Sequence, residues 1–144
     1  MKLISHRGNL NGRDPDNENS IEYIKNALSY GFDVEIDIFY YNERLWLGHD
    51  EPSYLIKDIN FLKNDKLWCH AKNLQALEIL ISDKEIHSFW HQKDDVTLTS
   101  RGYIWTYPDI KPLKNAILVV EKKTEKNNLP ECLGICSDYV EDIS

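Results

Sequence analysis

Three kinds of residue are scarce in this chain of 144 residues, and each scarcity closes off a function class. There are three cysteines, Cys69, Cys132 and Cys136, an odd count with no disulfide framework in it. Cys132 and Cys136 lack a second Cys/His pair at zinc-finger spacing, which argues against a structural zinc site. The opening MKLIS turns polar too early for a signal peptide, so reduced thiols in a cytoplasm are expected. Basic residues are also few. Lys and Arg number 17 against 24 Asp and Glu, a net charge of -7, and no basic cluster marks a nucleic-acid face. Long apolar runs are absent too; none approaches the ~18 residues of a membrane span. The length itself argues for a single domain over residues 1–144.

The hydrophobic pattern that remains is short-range. Residues 2–6 form a brief apolar run, followed by NLNGRDPDN, a loop composition. Over 20–30, Ile21, Ile24 and Leu28 share a helical face, with Asn19 and Glu22 spaced as a capping box and Gly31 as the stop. FDVEIDIFYY then alternates: Val34, Ile36 and Ile38 point one way, Glu35 and Asp37 the other. Asn42-Glu43 turns the chain into RLWLGHD. Beyond it come a short helix in KDINFLKN, a strand in LWCHA, a helix capped by Asn73, and strands in HSFWH, TLTSRGYIWTY, AILVV and LGICSDY. Alternation of this kind predicts a largely parallel α/β sheet of seven or eight strands. A full (β/α)8 barrel takes about 250 residues, and eight units here would have about 18 each. The expectation is therefore a compact TIM-type (β/α) barrel with several outer helices reduced or missing, mainly in the second half.

The ionisable residues gather near the C-terminal ends of the predicted strands, where α/β folds place their sites. His6 and Arg7 follow the first strand. Glu35 and Asp37 lie two apart on one face of the second, about 7 Å between Cα atoms. His49 closes the return segment, and His70 and Lys72 repeat the two-apart spacing. Two carboxylates on an inward face are costly unless a divalent cation relieves them. Two imidazoles, two cations and such an ion suit a phosphate ester. The competing reading of Glu35 and Asp37 is a wetted polar face of an edge strand. Most aromatics read as packing, with one or two free to line a cleft.

HRG at 6–8, ENS at 18–20, VEIDI at 34–38 and GHD at 48–50 together resemble the N-terminal signature of the glycerophosphodiester phosphodiesterase family, whose order is HRG, PEN(S/T), G-x-x-x-E-x-D-V and HD. LWCHAK resembles the strand in which that family carries Glu-x-Lys, and GICSDYVEDI its closing segment. The resemblance implies a metal-dependent phosphodiesterase. It makes His6 and His49 the acid–base pair and gives phosphate binding to Arg7 and Lys72. Glu18 is placed beside them to orient the site. Glu35 and Asp37 become metal ligands, with His70 where the family has a glutamate. The implied cofactor is Mg²⁺, Ca²⁺ or Mn²⁺, and the imidazole shifts preference away from Ca²⁺. The implied partner is a small phosphodiester, with no nucleic acid and no membrane span. Asn17 replaces the family's proline, and the insertion that shapes the glycerol pocket is missing. Two other readings stay open: a phosphate-ligand-binding protein without catalysis, and a lyase that stops at a cyclic phosphate.

Overall fold

The computed structural model describes all residues, 1–144. Ten strands form one mixed sheet, and only three helices accompany them. In chain order these are β1 (Lys2–His6), α1 (Ile21–Ser29), β2 (Asp33–Tyr41), β3 (Arg44–Leu47), β4 (Tyr54–Leu55), β5 (Leu67–Ala71), α2 (Leu74–Ser82), β6 (Ser88–Phe89), β7 (Val96–Leu98), β8 (Ile104–Thr106), β9 (Ala116–Val120), β10 (Gly134–Ser137) and α3 (Val140–Ile143). The segment predicted as a short helix after β4 is a 3₁₀ turn, Ile59–Lys63.

The expected TIM-type (β/α) barrel is corrected by this architecture. The sheet is a strand-rich half-barrel, not a ring of parallel strands inside a ring of helices. Strands β6, β5, β2, β1, β10, β9 and β8 run parallel to their neighbours, but β3 and β4 pair antiparallel beyond β2, and β7 pairs antiparallel with β8. The reason lies in connection length. A parallel crossover needs a dozen or more residues. Asn42-Glu43 allows only a hairpin, and both residues sit at positive φ (50° and 62°), the pattern of a type I′ turn. Residues 99–103 likewise fold β7 straight back onto β8, where Thr99 N donates to Tyr103 O.

The alternation read in β2 holds. Val34, Ile36 and Ile38 join Ile24, Ala27, Ala76 and Leu80 in the core beneath α1 and α2. The concave face has its own packing: Ile4, Trp68, Phe89, Trp105, Ile117 and Cys136. Leu118, Ile135 and Ile143 form a third, smaller cluster under α3. Each helix thus covers one stretch of the outer face, and the concave face carries the polar residues at one end. None of the helices is long and apolar enough to cross a membrane.

Candidate active site

Register brings the separated motifs together. On adjacent parallel strands His6 stands opposite Glu35, and Asp37 stands opposite His70. All four side chains project to the concave side, because all share the parity of Glu35. On the other flank Ser5 pairs with Ser137, which carries Asp138 up beside His6. His6 Nδ1 donates to Asp138 Oδ1 at 2.8 Å, and its Nε2 lies 3.7 Å from Glu35 Oε2.

A cavity of about 280 Å³ opens here, and its wall includes His6, Arg7, Glu35, His49, His70 and Lys72. Trp90, Trp105 and Tyr107 complete the far side, so three aromatics line the cleft where one or two were expected. Two of the predicted residues stand behind this wall. Asp37 is fully buried, with Arg7 Nε 2.9 Å from its Oδ2 and Lys72 Nζ 3.8 Å from its Oδ1. Glu18 accepts from Asn9 Nδ2 at 3.0 Å and from Arg7 Nη1 at 3.4 Å, so it steers the guanidinium from the side. His49 is the most exposed of the set; its Nδ1 donates to Asp50 Oδ1 at 2.6 Å.

Glu35, Asp37 and His70 offer one ligand atom each, all within 4.8 Å of one another, so this trio is placed to hold a metal ion. Two further observations fit a cation. Glu35 Oε2 and Asp37 Oδ1 are buried and hydrogen-bond to nothing, a costly state for carboxylate oxygens. His70 Nε2 donates to the His91 carbonyl at 2.9 Å, which aims Nδ1 at the two carboxylates, 3.4 Å from each. A ring nitrogen fixed by a backbone carbonyl, with the other facing the ion, is the usual arrangement of a ligating imidazole.

The same geometry sets the proton affinities. Burial opposes charge on His70, but its contacts with Asp37 and Glu35 outweigh that and raise its pKa to about 9. A metal there would displace this proton. Burial likewise opposes charge on His6, and the hydrogen bond to Asp138 with the field of Glu35 overcomes it, so His6 titrates above the ordinary histidine value. Asp37 and Asp138 are each held below the usual carboxylate range. Burial works against this in both, and is overcome by His70 and Arg7 at Asp37 and by His6 and Asn9 at Asp138.

Comparison with protein-family models, with curated proteins and with solved structures gave no match to this chain. The site therefore stands on its own geometry.

Two contributors are not among the expected site residues, and a third, Asp138, is a candidate that its strand-end position in the sequence already suggests. Asn19, expected as the cap of α1, clamps Asp37 instead: its Nδ2 donates to Asp37 Oδ2 and its Oδ1 accepts from Asp37 N, both at 2.9 Å. Ser20 takes the cap, accepting from Tyr23 N. Asn tolerates the left-handed backbone needed here (φ 63°), and the one-residue offset frees its amide for the site. Asn9 bridges Asp138 and Glu18. Asp138 lies one residue past β10, a strand-end position of the same kind as His6 and His70, so the rule that found those residues reaches it too.

Proposed function

We propose that this chain is a metal-dependent phosphodiesterase acting on a glycerophosphodiester or a similar small phosphodiester by paired histidine acid–base catalysis. The observation that carries the reading is the opening of His6, His49, Arg7 and Lys72 into one cavity whose wall holds Glu35 and His70. Arg7 and Lys72 would bind the phosphoryl oxygens, and each is kept in place by Asp37. Glu35, Asp37 and His70 would hold the divalent ion. Two carboxylates and an imidazole suit a softer ion such as Mn²⁺ or Zn²⁺ better than Ca²⁺. Such an ion supplies charge stabilisation to the phosphoryl oxygens.

His6 and His49 differ in a way that divides their labour. Asp138 keeps a proton on His6 Nδ1 and raises the affinity of the ring, so His6 suits the donor that protonates the leaving oxygen. His49 Nδ1 donates to Asp50, leaving Nε2 as the lone-pair nitrogen that accepts a proton from the attacking hydroxyl. Whether that hydroxyl belongs to the substrate's own glycerol or to water decides between a cyclic-phosphate product and direct hydrolysis.

The test is turnover of glycerophosphoglycerol and glycerophosphocholine with Mg²⁺, Mn²⁺ or Ca²⁺, followed by phosphorus NMR. Glycerol phosphate, with or without a cyclic phosphate before it, is the expected product. His6→Ala and His49→Ala should each lower the rate by about 10²- to 10⁴-fold without unfolding the protein. No turnover with any metal, or full activity in both variants, would contradict the reading.

A further inference from the structure

A second cavity, of about 430 Å³, adjoins the first and is polar on every side. His6, His49 and Arg7 face it, and so do two cations that play no part in the site described above, Arg13 and Lys122. They come from separate segments, Arg13 on the loop after β1 and Lys122 just after β9. A phosphodiester carries one negative charge, and Arg7 and Lys72 with the ion already answer it. Arg13 and Lys122 are surplus to that need.

Lys122 is unpaired, and Arg13 is held only by one long contact. Arg13 Nε meets only Glu18 Oε1, at 3.5 Å, an oxygen that already accepts from Asn9 at 3.0 Å. Lys122 forms no ion pair, while its neighbour Lys123 takes Asp142 at 3.1 Å. The buried Arg7 guanidinium borders both cavities. Of the two acids in the wall, Asp138 is matched by His6 and Asn9. Glu121 is not matched, and it stands on the wall shared by both cavities.

We infer that Arg13 and Lys122 form a second anion subsite, and that the preferred substrate is a phosphodiester whose far arm ends in a phosphate monoester. This rests on the reading that Arg7 and Lys72 take the scissile phosphate. Two cations converging on a dianionic group give charge-assisted hydrogen bonds that a neutral arm cannot make. Glu121 opposes the same group, so its neutralisation should strengthen binding.

Calorimetry with glycerol 1-phosphate and glycerol 1,3-bisphosphate, in buffer with Mg²⁺, tests the subsite without requiring turnover. The bisphosphate should bind at least about tenfold tighter. Arg13→Ala/Lys122→Ala should abolish that preference and leave glycerol 1-phosphate binding intact, and Glu121→Gln should enlarge it. Equal affinities in the wild type, no binding of the bisphosphate, or a preference that survives the double variant would overturn the inference. Failure of the enzyme reading leaves a different trace: full bisphosphate preference with no cleavage of any diester.

Discussion

At the scale of single residues, the half-buried His6 and the buried His87 face opposite environments. His6 is paired with an acid and gains protons on folding; His87 has only neutral or cationic neighbours. His87 is 1% exposed, its Nε2 accepts from Thr99 Oγ1 at 2.7 Å, and its ring lies 4.3 Å from Trp68. Burial, then Arg101 and Lys2, lower its pKa to about 4. Between pH 6.5 and 4 the unfolded chain therefore binds a proton there that the folded chain does not. Stability supplied by the neutral ring is complete above pH 6.5 and is lost as pH falls toward 4, at a cost of about 3 kcal/mol. Urea unfolding of wild type and His87→Gln across this range measures it: the two curves should converge toward acid, and parallel curves would contradict it. For His6 the expected change is the reverse. Asp138→Asn removes the acid that raises its pKa, so the His6 imidazole resonance should titrate at lower pH in the variant, as NMR can read directly.

At the scale of elements, the strands carry His6, Glu35, Asp37 and His70, and the loops between strands hold these side chains in place. Asn19 sits immediately before α1 and satisfies both the amide and a carboxylate oxygen of buried Asp37. Asn19→Ala should cost about 2 to 3 kcal/mol, from two buried polar groups left without partners. Ser20→Ala, which removes only the cap, should cost about 1 kcal/mol. Thermal or chemical denaturation separates the two; equal losses would show that Asn19 acts merely as part of the cap. Gly48 precedes His49 at φ 154°, and a Cβ there would run into the Glu51 carbonyl oxygen. Gly48→Ala should shift the turn and displace His49, lowering turnover far more than it lowers the folded fraction seen by circular dichroism.

At the scale of the whole molecule, a cation held by the buried acidic pair would add to stability. Saturating Mn²⁺ or Mg²⁺ at about 100 times its dissociation constant should add about 2.7 kcal/mol, and that gain should vanish in Glu35→Gln/His70→Ala. The site's convergence was legible from sequence because the parity of Glu35 and Asp37 and the strand-end positions of His6 and His70 survive changes in the surrounding fold. The enclosing architecture was not legible in the same way. Alternating short strands predict a parallel sheet, but periodicity carries no strand direction, and Asn42-Glu43 and residues 99–103 return the chain antiparallel. Asn19 departs from its expected capping role for a related reason: Asn and Ser both cap helices, and only the register of α1 shows that Ser20 does so. Asp37 was correctly placed on the inward face, yet its depth behind Arg7 depends on packing that no local pattern records.

The most direct test is a crystal structure grown with Mn²⁺ and inorganic phosphate, with data collected to show the manganese anomalous signal. One anomalous peak should appear within ligand distance of Glu35, Asp37 and His70 Nδ1, with phosphate between it, Arg7 and Lys72 and both imidazoles turned toward it. Density for manganese elsewhere, or none at saturating metal with His6 and His49 facing away from the phosphate, would contradict the account.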